Sequence, residues 1–254
     1  MTQVSVVIIT KNEAENIGRC IQSCQNLNAE ILVLDSQSED DTVTIATNLG
    51  AVVHSIDWLG YGATKNKGAD LAKHKWILSL DADEALDEVL QNEITDALSQ
   101  ENKAAAYWLS RTFIFDNKKI KHGAYKNEKR LRLYDKTKMR WNNVAVHESL
   151  EAIDKTKNLK TDNVNGTLLH YSYKNEEDME ARLEKYARLS AKKLSAKGSG
   201  YLQLKKILSP GFSFVKNYLL KGGCLDGKSG FILAKAQARY IRKKYQYTLD
   251  NLSN

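Results

Sequence analysis

The first hundred residues alternate between short apolar runs and segments with helical spacing. The run VSVVIIT over 4–10 is rich in β-branched residues, which predicts a strand buried on both faces. Similar runs predict strands over 31–34, 51–56 and 76–80, and predicted helices begin at residue 12 or 13, after 38–41, at 65 and at 87. This alternation predicts right-handed βαβ units and a parallel sheet with helices on both faces.

The pattern changes after residue 102. Four apolar segments predict strands joined by loops, over 106–115, 129–134, 144–150 and 164–171. From residue 176 the pattern is helical, with predicted helices over 179–196, 201–220 and 228–247. Pro210, the single proline, is expected to break or kink the middle helix. The predicted division is 1–101, 102–172 and 173–254, with the first two segments forming one domain.

Composition indicates a globular chain whose charge is unevenly distributed. Hydrophobic residues make up 42% and charged residues 27%, so disorder is not indicated. Of the formal net charge of +7, much lies between Ala191 and Tyr247, where thirteen Lys or Arg accompany a single acid, Asp226. Such a block predicts a polyanionic partner, either nucleic acid or an anionic membrane surface.

The cysteines and the hydropathy of the chain predict where in the cell the protein is located. The three cysteines lack disulfide or metal spacing, and Cys20 and Cys24 are predicted to be buried thiols on one helix face, which favours a reducing cytosol. We find no secretory signal pattern and no apolar stretch of about 20 residues. The prediction is a protein that is cytosolic or lies on a membrane without crossing it.

Acidic and polar residues follow three of the predicted strands. Ligands of parallel sheets bind at the carboxyl ends of the strands, so these residues are candidate ligand contacts. Carboxylates two residues apart, as in Asp81-Ala82-Asp83, suit Mg²⁺ or Mn²⁺, which complete their shells with water and phosphate oxygens. Alternatively, Asp83 and Glu84 would cap the helix that begins at Asp87. The position after a buried strand favours the metal site.

Four blocks together resemble the inverting family-2 glycosyltransferases of the GT-A fold: VSVVIITKNEAENI, VLDSQSEDDT, ATKNKGADLA and ILSLDADE. The resemblance implies an α/β fold with a Rossmann-like mixed sheet flanked by helices, here with a C-terminal helical extension. It implies a nucleotide-sugar site made of Thr10, Asn12, Glu13, Asp35, Lys65 and Asp81. Thr10, Glu13 and Asp35 would surround the base and ribose, Lys65 would lie near the diphosphate, and Asp81 would bind ribose or metal-bound water.

The same resemblance makes Asp83 the ligand of a divalent metal, Mg²⁺ or Mn²⁺. The chain has Asp-Ser-Gln-Ser at 35–38 where many members have Asp-Asp-Gly-Ser, so one nucleoside-binding acid is missing. In the second half, RLRLYDK, VHESL and LLHYSYKNEEDM look similar to bacterial glucosyltransferases that extend the lipopolysaccharide inner core. This implies transfer of a hexose, commonly glucose, from a UDP-sugar to a heptose of a lipid-anchored oligosaccharide. The enzyme would lie on the cytoplasmic face of the inner membrane.

Two further side chains are candidates for the chemistry. An inverting transfer needs a base for the acceptor hydroxyl, and Glu148, beside His147, is our candidate. Strand alternation would place Glu148 on the apolar face with Val146 and Leu150, whereas an exposed edge-strand position is the structural alternative. His170 is a candidate metal or diphosphate ligand and, about equally, a structural core residue.

The basic C-terminal segment has two interpretations. Around residues 212–220 an apolar helical side is flanked by Lys205, Lys206, Lys216 and Lys221, as in helices that lie in an anionic membrane interface. The alternative is ordinary helix packing with solvated lysines. A nucleic-acid-binding module is disfavoured because no helix-turn-helix, RRM or zinc signature is present. A sugar-phosphate nucleotidyltransferase is disfavoured because no glycine-rich loop follows the first strand.

Overall fold

The computed structural model describes residues 3–144, 148–192, 194 and 198–253. The chain divides into two compact units, one of residues 1–111 with 128–170 and one of residues 112–127 with 171–254. In the first unit, strands and helices alternate up to residue 99. The elements are β1 (Val4–Thr10), α1 (Ala14–Gln22), β2 (Glu30–Asp35), α2 (Thr42–Asn48), β3 (Val52–Ser55), α3 (Tyr61–Leu71), β4 (Trp76–Asp81), β5 (Glu84–Leu86) and α4 (Glu88–Ser99).

The predicted parallel sheet is confirmed. β1 pairs in parallel with β2 and with β4, and β2 pairs in parallel with β3. Alternate side chains of β1 enter two separate apolar cores, with Val6 and Ile8 in one and Val7 and Ile9 in the other. The continuous apolar run therefore reflects a strand covered on both faces, as expected for a parallel sheet.

Antiparallel strands extend this sheet and make it mixed, as predicted. β8 (Glu128–Asp135) pairs with β4 on one side and with β6 (Ala106–Phe115) on the other. The order in the first unit is β3-β2-β1-β4-β8-β6. Shorter strands complete the unit: β9 (Met139–Trp141), β10 (Leu150–Ala152), β11 (Thr161–Asn163) and β12 (Leu168–His170).

Two of the strand predictions in this half were wrong in extent. Instead of a strand over 144–150, the structure has β10, which begins at Leu150 and pairs with β9; residues 145–147 lie outside the described part. Instead of one strand over 164–171, β11 and β12 are separate, because Gly166 lies between them with a positive φ of 86°. β12 pairs with β5, which brings His170 opposite Glu84.

The second unit is mainly helical. It contains α5 (Glu176–Lys192), α6 (Ser199–Val215) and α7 (Gly227–Ser253), together with the end of β6 from residue 112 and its hairpin partner β7 (Lys118–Ile120). Of the predicted break or kink at Pro210, the break is wrong, because α6 continues through Pro210 to Val215 and a π-helical turn over Lys216–Leu220 follows it. Proline lacks a main-chain N–H and removes one helical hydrogen bond. The 17-residue helix α6 forms despite that loss. No helix in the described part is both long and apolar enough to cross a membrane.

The three cysteines are free, and Cys20 and Cys24 are buried as predicted, whereas Cys224 is exposed. Cys20 lies in α1, and Cys24 follows the end of that helix. Burial raises the pKa of the Cys24 thiol to about 12, so it remains protonated and apolar in character.

Gly68 sets the distance between α3 and the sheet. A Cβ atom at this position would lie 2.3 Å from Val7 Cγ1 and 2.8 Å from Leu34 Cδ2, so α3 packs on β1 and β2 through its bare backbone. We expect Gly68→Ala to lower the free energy of unfolding by roughly 1–3 kcal/mol through overpacking, measured by urea denaturation. The control is Gly18→Ala in α1, where the nearest atom would be 3.5 Å away. That variant should be neutral or more stable, and an equal loss in both would contradict the packing argument.

Candidate active site

Three strand ends bring the predicted nucleotide contacts together. In the parallel register Thr10 lies beside Asp35, and Ile9, the residue before Thr10, lies beside Asp81. Thr10 and Asp35 are buried, and the hydroxyl of Thr10 has no hydrogen-bond partner within the described residues. The carboxyl edge of the sheet therefore presents polar groups at the place where ligands of such sheets bind.

The loops after β1 and β2 are tied to each other. The main-chain nitrogen of Asn12 donates to Ser38 Oγ at 2.8 Å. The side-chain oxygen Oδ1 of Asn12 accepts from the main-chain nitrogen of Glu39 at 2.8 Å. The Glu13 nitrogen donates to Thr42 Oγ1, also at 2.8 Å. Asn12 has a φ of 55°, a left-handed conformation that asparagine tolerates. Asn12 and Glu13 thus lie in a loop held by hydrogen bonds rather than in a free one.

Asp35 also has a local role. Its carboxylate accepts hydrogen bonds from the Ser38 nitrogen at 2.9 Å and from Ser38 Oγ at 2.5 Å. Asp35 therefore stabilises the turn after β2 through its own side chain. Gln37, at the position where many family members have glycine, has a φ of 60°, and its side chain donates to Asp57 Oδ1 at 2.7 Å.

Lys65 lies in the middle of α3, which begins at Tyr61, so the prediction that the helix starts at Lys65 was wrong. Its side chain is fully buried rather than solvated. Two contacts hold this part of α3 against β9: the side chain of Asn66 donates to the carbonyl of Trp141 at 2.9 Å and accepts from its nitrogen at 3.0 Å. The ammonium group lies 4.7 Å from the centre of the Trp141 ring, within cation–π range.

The buried ammonium of Lys65 connects two predicted site residues. Its Nζ lies 2.8 Å from Glu148 Oε1 and 3.2 Å from Asp81 Oδ1. A buried ammonium is unfavourable without counter-charges, so these two carboxylates are held at one point. The candidate base and the first acid of the Asp-Ala-Asp turn therefore lie on either side of one cation.

The pairing continues beyond Asp81 as a chain of alternating charges, here named the ion chain. Arg132, on β8, donates to Asp81 Oδ2 at 2.7 Å and to Glu84 Oε1 at 2.9 Å. Arg111 pairs with Glu84 at 3.2 Å and with Glu128, and Glu128 Oε2 accepts from Arg130 at 2.8 Å. The eight members in order are Glu148, Lys65, Asp81, Arg132, Glu84, Arg111, Glu128 and Arg130.

The ion chain fixes the protonation state of Asp81. Removal from bulk water opposes ionisation, but the charges of Arg132 and Lys65 hold the pKa of the Asp81 carboxyl well below its usual range. Correspondingly, the pKa of the Arg132 guanidinium lies well above its usual range because Asp81 and Glu84 outweigh its burial. Asp81 is consequently an anion at any physiological pH.

Asp83, the second acid of the turn, belongs to a different pair. Its Oδ2 lies 3.3 Å from Nε2 of His170, the last residue of β12, and both side chains are about one fifth exposed. The alternative in which Asp83 and Glu84 cap α4 was wrong. Asp87 is the N-cap and accepts from the Leu90 nitrogen at 3.0 Å, while Glu84 is buried in β5.

Glu148 lies in the segment before β10 rather than within a strand, so the argument from strand alternation does not apply; His147 and Val146 lie outside the described residues. Its side chain is 17% exposed and borders a cleft of about 470 Å³. Asp81 borders the same cleft, together with residues of β6, β8 and β9. Glu148 is therefore neither deeply buried nor a free surface carboxylate.

Several residues of this site were not predicted from the sequence. Glu84, Arg111 and Arg132 are charged, buried or nearly so, and joined to Asp81. A signal was present in RLRLYD, since Arg132 lies between Leu131 and Leu133 within a predicted strand. A buried arginine requires carboxylate partners, but the sequence does not indicate which ones.

The ion chain predicts a large cost for removing its central cation. Arg132 is 5% exposed, so Arg132→Met would leave Asp81 and Glu84 without their shared partner and should lower the unfolding free energy by about 3–5 kcal/mol. The matched control is Arg140→Met, because Arg140 pairs with Asp70 on the surface, where both side chains are about half exposed. That variant should lose less than about 1 kcal/mol in urea denaturation. Similar losses of unfolding free energy in Arg132→Met and Arg140→Met would contradict the claim that burial makes the Arg132 ion pairs costly to remove.

Comparison with known proteins identifies the family. Residues 5–153 match the model of glycosyl transferase family 2. An uncharacterized glycosyltransferase of Rickettsia typhi is 30% identical over 250 residues, spanning 95% of this chain and 86% of that protein. The lipopolysaccharide core biosynthesis glycosyltransferase LpsC of Rhizobium meliloti is 27% identical over 243 residues. The match spans 93% of this chain and 88% of the length of LpsC.

A solved structure, glucosyl-3-phosphoglycerate synthase from Mycobacterium tuberculosis in complex with Mn²⁺, UDP and glucosyl-3-phosphoglycerate, superposes with a TM-score of 0.37 at 23% identity, over 44% of each chain. That likeness is too loose to bear on the site. The family match and the relatives of similar length cover the strands, loops and acidic turn described above. The chain therefore belongs to glycosyltransferase family 2 and is a glycosyltransferase with an α/β fold built on a mixed sheet.

Proposed function

We propose that this glycosyltransferase moves a hexose, glucose in the first instance, from a UDP-sugar to a heptose of a lipopolysaccharide inner core, with inversion. The contact of Lys65 with both Glu148 and Asp81 carries the proposal, because it joins a candidate base to the donor-binding edge of the sheet. The name of the relative LpsC supports lipopolysaccharide core as the acceptor class. The base and ribose would lie against Thr10, Asn12, Glu13 and Asp35.

A divalent metal, Mg²⁺ or Mn²⁺, fits the pair of Asp83 and His170. The 3.3 Å between the carboxylate oxygen and the imidazole nitrogen allows both to turn toward one ion. The described residues contain no cluster of three or more His, Cys, Asp or Glu that could hold a metal by itself. The pair therefore suits a cation that completes its shell with water and donor phosphates. Bound there, the metal would neutralise charge on the leaving diphosphate.

Glu148 would act as the base of the transfer. Lys65 donates to Oε1 of Glu148, which leaves Oε2 to accept the proton of the acceptor hydroxyl. The acceptor oxygen then bonds to the anomeric carbon as the bond from that carbon to the UDP oxygen breaks, and UDP leaves as an anion. Asp81, an anion held by Arg132 and Lys65, would contact the ribose and thereby set the direction from which the donor enters.

The second unit would hold the enzyme on an anionic membrane where a lipid-anchored acceptor is found. α6 and the following π-helical turn expose apolar side chains at helical spacing, with intervals of three or four residues and two adjacent pairs: Leu204, Ile207, Leu208, Phe212, Val215, Leu219 and Leu220. Ile207 and Leu220 are 73% exposed, so this strip is not used for packing within the described chain. Lys205, Lys206, Lys216 and Lys221 flank it, as in interfacial helices.

Glu148→Gln tests the base. The amide keeps the size of the side chain but cannot accept a proton, so transfer should fall by a factor of roughly 10² or more while UDP binding stays unchanged. Turnover with UDP-glucose and extracted core acceptor, alongside calorimetry with UDP, measures both quantities. Glu151→Gln, at a 43% exposed carboxylate on β10, is the control and should keep normal turnover. Near-normal turnover in Glu148→Gln would assign the base elsewhere.

Asp83→Ala tests the metal ligand. We expect the gain in UDP affinity caused by Mg²⁺ or Mn²⁺ to disappear, because the carboxylate would no longer hold the cation beside the diphosphate. Titrations of UDP with the metal and with EDTA measure this difference directly and do not depend on turnover. A metal effect of the same size in Asp83→Ala and wild type would rule out this site.

The apolar strip predicts membrane binding. The double change Ile207→Ser with Phe212→Ser should weaken binding to vesicles containing phosphatidylglycerol by roughly tenfold or more, since two exposed side chains would no longer enter the interface. Co-sedimentation measures binding, and circular dichroism verifies the helices. Val89→Ser, at an exposed valine of α4, is the control. If the wild-type protein fails to bind these vesicles, the strip has another purpose.

A further inference from the structure

The cleft beside Glu148 has one wall that the proposed transfer does not use. Asp81 and Glu148 line this cleft, and β6 and β8 contribute Trp108, Lys129 and Arg130, which are here named the wall. A cleft of about 470 Å³ has the size of a small-molecule site. Under the proposed function the donor would lie at Asp81, which leaves the wall for the acceptor.

The charges of this wall are not all neutralised by other described residues. The ion chain contains four carboxylates and four cations, so it is balanced in itself. Lys129 is not a member. Its Nζ donates to Asn163 Oδ1 at 2.6 Å, which is a neutral amide oxygen. The cleft therefore has an excess positive charge at Lys129.

Arg130 adds a second cation whose pairing is incomplete. It is the terminal member of the ion chain, it is 46% exposed, and it shares the single carboxylate of Glu128 with Arg111. A guanidinium has five N–H donors, so one contact to Glu128 leaves several for a ligand. Lys129 and Arg130 are adjacent in β8, and both border the cleft.

Trp108 supplies an apolar surface next to these cations. It lies on β6 opposite Leu131, two residues along β8 from Lys129, and its side chain is 36% exposed. Its indole Nε1 donates to Thr161 Oγ1 at 3.3 Å, so the ring is oriented by a hydrogen bond. An exposed, fixed indole on a strand suits the C–H face of a sugar ring, because Trp combines a large apolar area with a polar edge.

We propose that this wall is an acceptor subsite for a saccharide with an anionic substituent, a phosphate monoester or a carboxylate. The sugar would stack on Trp108, and Lys129, which lies on the same face of the sheet, would bind the anion, while Arg130 adds positive charge to the lining of the cleft. Three strand residues, roughly 10 Å, separate Lys129 from Arg132, which contacts Asp81. The anion therefore belongs near the reacting sugar or on its neighbour, not on the donor diphosphate. This inference rests on the proposed function, because it requires Glu148 to act on the acceptor.

The experiment compares three sugars bound to the full-length protein: methyl glucoside, glucose 6-phosphate and glucuronate. UDP and Mg²⁺ are kept saturating so that the donor site cannot take the charged sugars. We expect the better of the two charged sugars to bind roughly tenfold more tightly than methyl glucoside, as for a charge-assisted contact. Which of them binds better identifies the anion as phosphate or carboxylate.

Two variants separate the parts of the subsite. Lys129→Met should remove most of the preference for the charged sugar, whereas Lys118→Met, at an exposed lysine of β7, should leave it unchanged. Trp108→Ala should weaken charged and neutral sugars by similar factors. Equal affinities for the three sugars, no binding of either charged sugar at millimolar concentration, or an unchanged preference in Lys129→Met would overturn the proposal.

The donor titration keeps the two proposals apart. If UDP shows no metal-dependent binding, the proposed transfer from a UDP-sugar fails at the donor site. If UDP binds as expected but the sugars are not distinguished by charge, only the anionic subsite fails. Raising the salt concentration adds a check, because the preference for the charged sugar should decrease as exposed charges at Lys129 and Arg130 are screened.

Discussion

The site depends on one constraint, the need of a fully buried ammonium for counter-charges. Lys65 has no access to water, and the cost of an unpaired charge there would be several kcal/mol. Asp81 and Glu148 supply the counter-charges, and Asp81 in turn requires Arg132. The positions of the acidic turn and of the proposed base therefore cannot vary independently. The same contacts stabilise the fold and set the geometry of the cleft.

The same need for counter-charges applies where the parallel strand β4 meets its antiparallel neighbour β8. β4 ends in Asp81, and its antiparallel neighbour β8 contributes Arg132 from the side. α3 brings Lys65 to the same place because Gly68 lets that helix lie close to β1 and β2. Residues distant in sequence thus meet at one strand end, and each of the three elements contributes one charge.

The local pattern of the chain was sufficient to predict the parallel sheet, the strand ends and the acidic turn. It also singled out Asp83 and His170, which the structure places 3.3 Å apart, although 87 positions separate them in the sequence. The depth of Lys65 and the partners of Arg132 were not predictable in this way. Both depend on which strands pair across the sheet, and hydrophobic periodicity carries no information on that pairing. For the same reason the burial of Glu84 in β5 was not predicted, and a helix cap was the alternative considered for it.

The loop after β2 has a consequence for how tightly a nucleotide can be held. Gln37 adopts a left-handed conformation that costs a residue with a side chain about 1–2 kcal/mol. Its amide group is linked to Asp57, in the segment after β3, and Ser38 is linked to Asp35 and Asn12. A glycine in its place would relieve the strain but would lose the cross-link. The glutamine therefore preorganises the loop, and less conformational entropy would remain to be lost on binding of the proposed nucleotide beside it.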